Sequence, residues 1–89
     1  MENLNKNKPK ICVLGLGYVG LTLALVLSEK GFKVSGVEIN DEVITKIKTG
    51  KAHFYENGLN ELLTAQLERG FSCVHGIPGN ESGVYIIAV

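Results

Sequence analysis

Eighty-nine residues suffice for one domain, and a hydrophobic fraction of 45% places the chain among globular rather than disordered sequences. Nine Lys and Arg balance nine Asp and Glu, so no net field draws the chain to nucleic acid or to an anionic membrane, and neither partner is expected. Cys12 and Cys73 are too few and too far apart for a disulfide scaffold or a C-x-x-C zinc site. Both lie in apolar stretches and read as buried, reduced thiols, which makes the cytoplasm the expected compartment.

Residues 1–9 (MENLNKNKP) are polar and end in a proline, so they are expected to form a flexible tail, with residues 10–89 as the folded unit. Lys10–Gly15 contains the unbroken apolar run Ile-Cys-Val-Leu, of the kind a strand buried on both faces produces. With the lysines before it and the apolar residues up to Leu27, this region has the outline of a signal peptide or membrane anchor. Gly15, Gly17 and Gly20 interrupt it, however, and no small-residue cleavage site precedes Ser28-Glu29-Lys30. Tyr18–Lys30 suits a helix with Leu21, Ala24, Leu25 and Ser28 on one face and Gly31 as its stop. Lys33–Glu38 reads as a second strand. Asn40 or Asp41 can cap a short helix whose Val43, Ile44 and Ile47 share a face, closed by Gly50. A loop around His53, Phe54 and Tyr55 leads to a helix spaced by Leu59, Leu62, Leu63 and Leu67 and ended by Gly70. Phe71–His75 is a third strand, residues 76–83 a loop, and Val84–Val89 a fourth strand.

Strands alternating with helices in the order β-α-β-α-α-β-β predict an α/β fold with a parallel sheet and right-handed crossovers. The expected architecture is a partial Rossmann, doubly wound sheet, its first half, with strand order 3-2-1-4. Because the last predicted strand runs to the final residue, the sequence reads as a truncated domain.

Gly15-Leu16-Gly17-Tyr18-Val19-Gly20 is a G-x-G-x-x-G that directly follows a predicted strand and opens a predicted helix, the context a dinucleotide fingerprint requires. Gly15 would make the tight turn, Gly17 would let a pyrophosphate approach the backbone, and Gly20 would let the helix pack closely on the sheet. The helix N-terminus would supply free N–H groups to the phosphates. Glu38 lies 21 residues after Gly17 and closes the second strand. A carboxylate there binds adenosine ribose hydroxyls and repels a 2′-phosphate, which favours NAD over NADP. The pattern alone also admits FAD, since Ala24 and Gly31 fit the extended flavoprotein spacing.

The filling of the motif is more specific. Gly15-Leu16-Gly17-Tyr18-Val19-Gly20-Leu21 resembles the GxGYVGL opening of the nucleotide-sugar 6-dehydrogenases, the UDP-glucose/GDP-mannose dehydrogenase family. Gly36-Val37-Glu38-Ile39-Asn40 is similar to that family's G-V-D-I-N segment. Gly50, Glu56-Asn57-Gly58-Leu59 and Leu62-Leu63 resemble its N-G…E-P-G-L…L-L stretch, and Ile86-Ile87-Ala88-Val89 its strand running into Thr-Pro. The resemblance covers residues 10–89. It implies NAD as cofactor and oxidation of the C6 hydroxyl of a UDP-sugar to a carboxylate, with two NAD⁺ reduced and a cysteine thiohemiacetal between the steps. It further implies that Gly15, Gly17, Tyr18, Val19 and Gly20 line the pyrophosphate, that Glu38 holds the adenosine ribose, and that Val89 starts the loop near the nicotinamide-side ribose. The family's catalytic and sugar-binding residues lie beyond residue 89, so this chain alone is expected to be inactive. A homo-oligomer is expected of the whole protein.

Three positions depart from the family. Glu38 replaces the usual Asp, Val43 stands where many members carry Lys or Arg, and Asn57 replaces the Pro of E-P-G-L. Two further readings stand beside the dehydrogenase: an FAD-dependent oxidoreductase and a dinucleotide-sensing regulatory module. Cys12 and Cys73 are expected to be structural, because burial makes a thiol inert. His53 and His75 are not at metal-ligand spacing, and Phe54 and Tyr55 are expected to pack on the neighbouring helix.

Overall fold

A computed structural model describes residues 8–76 and 83–88 of the chain. Its elements follow the predicted order: β1 (Ile11–Leu14), α1 (Tyr18–Glu29), β2 (Val34–Val37), α2 (Asp41–Lys48), α3 (Leu59–Arg69), β3 (Ser72–Val74) and β4 (Val84–Ile87). The strands form one parallel sheet in the order β3-β2-β1-β4. β1 is central, and its Ile11, Cys12 and Val13 are all buried, as the unbroken apolar run requires. The apolar segment Ile11–Leu27, which had the outline of an anchor, is divided into a strand, a turn and a helix. Among the described residues no helix is long and apolar enough to cross a membrane.

The apolar stripe of α1 buries Leu21, Ala24, Leu25 and Ser28, as its spacing predicts. Burying Leu21 and Leu25 contributes roughly 1.5–3 kcal/mol each. Ser28 carries a hydroxyl into that stripe, where an unpaired polar group would be costly. It donates to Gln66 Oε1 of α3 at 2.8 Å, and Gln66 is itself only 2% exposed. The α1–α3 contact is thus an apolar seam with one satisfied polar pair, and α3 buries Gln66 beside Leu59 and Leu63. Leu62 and Leu67, which the leucine spacing placed on the same face, are only partly buried.

Asn40 is the cap of α2. Its Oδ1 accepts from the N–H groups of Glu42 (2.9 Å) and Val43 (3.2 Å), leaving Asp41 as the first helical residue. Ile44 and Ile47 are buried, and Val43 packs at the margin of the core. Lys8, within the expected tail, donates from Nζ to the Lys30 carbonyl at 2.7 Å and lies 4.8 Å from the Phe32 ring centroid. That cation sits at the C-terminal end of α1, where the helix dipole favours it. Residues 1–7 of the expected tail, 77–82 of the expected loop, and Val89 lie outside the described residues.

β4 occupies the sheet edge opposite β3, and Val84, Tyr85 and Ile87 are exposed while Ile86 packs against the core.

Candidate functional site

The carboxyl ends of the strands converge on the glycine-rich turn. β1 ends at Leu14, and Gly15 follows with φ +96°, a left-handed conformation that glycine adopts without penalty. Its N–H donates to the Val37 carbonyl at 2.9 Å, while Ala88 N–H donates to the Leu14 carbonyl at 2.9 Å, so the turn is fastened to the ends of β2 and β4. A Cβ on Gly15 would also collide with the Ala88 carbonyl. Leu16 turns inward and is fully buried, filling the space above Gly36 of β2; a Cβ on Gly36 would lie 2.7 Å from Leu16 Cδ1 and 2.9 Å from Cδ2. Gly20 packs differently from the expectation. Its Cβ would overlap the Gly15 carbonyl oxygen, so it is the turn itself, more than the body of the sheet, that requires glycine here.

Gly17 is the exception. Its φ of −71° and ψ of −161° are open to any residue, and nothing lies within 4 Å of where its Cβ would be. Among the described residues no protein atom accounts for a glycine at this position. Gly17 is also the N-cap of α1, without a side-chain cap and with no acidic residue in the first turn. The first intrahelical bond runs from Leu21 N–H to the Gly17 carbonyl (2.9 Å), which leaves the N–H groups before it without intrahelical acceptors. An anion suits this end of the helix by both hydrogen bonding and dipole. Tyr18 and Val19 are exposed beside it, 55% and 65% respectively. The Tyr18 ring meets Phe54 edge-on at 5.2 Å, and Phe54 meets His53 at 4.8 Å. Phe54 therefore packs on the start of α1, as expected of a loop aromatic, whereas Tyr55 is 89% exposed.

Glu38 follows β2 directly. Its Oε1 accepts the Leu16 N–H and its Oε2 the Asn40 N–H, each at 3.0 Å, so the carboxylate spans from the glycine turn to the cap of α2. A carboxylate offers about four acceptor sites, so lone pairs remain for a vicinal diol. Around it opens a cavity of about 390 Å³, bordered by Gly15, Val37, Glu38, Ile39, His75 and Ile87 among others. This is the crevice beyond the carboxyl ends of the strands where open α/β sheets bind ligands. A larger cavity of about 490 Å³ lies along α2 and His53 but includes none of the glycine-turn residues. Sequence reasoning did not assign Ile39 or His75 to this site. Their only signal was position, immediately beyond the ends of two adjacent strands.

Neither cysteine is placed for nucleophilic work. Burial pushes the Cys73 thiol up to about 11, with Lys48 partly opposing and Glu38 reinforcing the shift, and burial also raises Cys12. Both are buried free thiols. Among the described residues no cluster of His, Cys, Asp or Glu could hold a metal ion.

The turn, the uncapped helix and the carboxylate fit a dinucleotide, and comparison with known proteins agrees. Residues 9–89 match the UDP-glucose/GDP-mannose dehydrogenase family, NAD binding domain. The chain is 44% identical over 88 residues to a UDP-N-acetyl-D-mannosamine dehydrogenase of Methanococcus aeolicus, covering 99% of this chain and 20% of that protein. Among solved structures it superposes on a UDP-glucose dehydrogenase from Pyrobaculum islandicum with a TM-score of 0.83 at 30% identity, covering 93% of this chain and 20% of that one. It also matches the UDP-N-acetyl-mannosamine dehydrogenase Cap5O of Staphylococcus aureus with a TM-score of 0.82 at 39% identity, over 90% of this chain and 19% of that one. The chain spans about a fifth of the length of these relatives. With NAD named as the cofactor of the matching domain, the flavin alternative falls away. By sequence and by fold, the chain belongs to the UDP-glucose/GDP-mannose dehydrogenase family, and residues 9–89 match its NAD binding domain.

Proposed function

We propose that this chain is the cofactor-binding part of an NAD-dependent dehydrogenase that oxidises the C6 hydroxyl of a UDP-sugar to a carboxylate. Two NAD⁺ are consumed per sugar in this reading, and bound NAD⁺ supplies the hydride acceptor. Gly15, Gly17, Tyr18, Val19 and Gly20 line the pyrophosphate and Glu38 holds the adenosine ribose; Val89, which the family resemblance assigns to the nicotinamide-side ribose, lies outside the described residues. The names of relatives such as those from Methanococcus aeolicus and Campylobacter jejuni support a UDP-N-acetylhexosamine as substrate. No residue of this chain is assigned to the chemistry on the sugar. A cytoplasmic homo-oligomer without nucleic-acid or membrane partners belongs to the same proposal.

The observation that carries this reading is Gly17, a glycine with ordinary dihedrals, open space at its Cβ position, and uncapped helical N–H groups beside it. An incoming anion explains the open Cβ position and the uncapped N–H groups together. Gly17→Ala should leave stability within about 0.5 kcal/mol, since poorer capping and a stiffer unfolded chain nearly cancel. NAD⁺ affinity should fall at least tenfold, because charge-assisted bonds to phosphate of about 1.5–3 kcal/mol are displaced. Gly20→Ala, by contrast, should lose fold and binding together. Calorimetric titration checks both, and undiminished NAD⁺ binding by Gly17→Ala would overturn the reading.

A further inference from the structure

We infer that His75 is the outer wall of the adenine subsite, supplying a stacking surface for the base of the cofactor. The inference rests on the cofactor reading above and extends it to a residue outside the glycine fingerprint. His75 is the first residue beyond β3, as Glu38 is the first beyond β2. The two strands pair with Val37 beside Val74, and Glu38 N–H donates to the Val74 carbonyl at 3.0 Å, so Glu38 and His75 stand side by side at the mouth of the sheet. Ile39, next along, is an apolar side chain left 78% exposed. Both residues border the same cavity of about 390 Å³ as Glu38. A ribose held by Glu38 delivers its base into that cavity, where Ile39 and the imidazole offer an apolar and a π surface.

His75 Nε2 lies 3.6 Å from Asp41 Oδ1 at the start of α2. That contact lies at the cavity rim between two solvent-facing side chains and adds little stability. A purely structural His75 would do no more than tie β3 to α2. The two roles separate when cofactor affinity and stability are measured on the same variants.

The test is calorimetric titration of the protein with ADP-ribose, which carries the adenosine and pyrophosphate but no nicotinamide, alongside thermal unfolding. His75→Ala should weaken ADP-ribose binding about five- to tenfold, in the range of base stacking on an aromatic side chain. His75→Phe should restore binding to within about twofold while lacking any contact with Asp41. Glu38→Ala serves as the reference that loses ribose recognition. Wild-type affinity in His75→Ala, with Glu38→Ala impaired, would overturn the role of His75 and leave the cofactor reading standing. Failure of His75→Phe to restore affinity would likewise assign His75 to structure. No ADP-ribose binding by the unaltered protein, or none of the variants differing from it, would overturn both.

Discussion

Gly36 and Leu16 should behave as one unit, because each occupies space that the other leaves. Gly36→Ala places a methyl 2.7 Å from Leu16 Cδ1, 2.9 Å from Cδ2 and 3.2 Å from Cγ, so the whole branch must move and not merely its tip. Leu16 is fully buried and has no open side to move toward. Overpacking of this kind costs about 1–3 kcal/mol, against a gain of roughly 0.4–1 kcal/mol from stiffening the unfolded chain. The clash wins, and Gly36→Ala should be destabilising by about 1–2 kcal/mol. Leu16→Ala alone should cost about 2–5 kcal/mol as a core truncation. In the Leu16→Ala background, however, the obstructing branch is gone, and Gly36→Ala should become neutral or stabilising. The double-mutant cycle in urea, followed by far-ultraviolet circular dichroism, should therefore give a coupling of about 1–3 kcal/mol. Additivity within about 0.5 kcal/mol would refute the steric argument. The cycle also bears on the site, since Leu16 donates its N–H to Glu38.

Glu38→Gln keeps an acceptor for one of the two backbone N–H groups, sets an NH2 donor against the other, and removes the charge that opposes a 2′-phosphate. It should retain the fold and narrow the preference for NAD⁺ over NADP⁺ at least tenfold by calorimetry; an unchanged preference would assign discrimination elsewhere. Cys73 should make stability fall in alkaline solution. Burial raises its thiol from 9.0 to about 11 in the folded chain, so its contribution is complete below about pH 9 and is lost as pH rises toward 11. The loss amounts to about 3 kcal/mol at most, at 1.36 kcal/mol per pK unit. Relative to Cys73→Ala, the wild-type advantage in urea should shrink over that window, and a parallel pH dependence of the two proteins would contradict the assignment.

The strands, the helices and the sheet order were legible in the sequence because each rests on a local signal. The continuous apolar run Ile11–Leu14, stopped at once by Gly15, suits a strand covered on both faces, and a glycine follows each of α1, α2 and α3 within two residues of its end. The fingerprint glycines were equally legible, since a turn, a close approach and a helix N-terminus make separate demands at fixed offsets. The acidic residue at the end of β2 needed only counting.

What spacing could not reveal is which atoms lie across the chain from one another. Ser28 shares an apolar face by periodicity, yet its hydroxyl is affordable only because Gln66, 38 residues away, presents an oxygen at 2.8 Å. Gly36 looked like part of a motif, whereas its lack of a side chain is imposed by the buried branch of Leu16. Gly20 was expected to serve helix–sheet packing, but the collision it avoids is with the carbonyl of Gly15. His75 and Ile39 joined the candidate site only when β2 and β3 were paired in register, because a crevice at the carboxyl ends of parallel strands is assembled from residues that no local pattern connects. Local periodicity determined the elements and their order. Long-range packing decided why particular glycines are obligatory and which side chains share the cavity, since both depend on distances that exist only after the crossovers close.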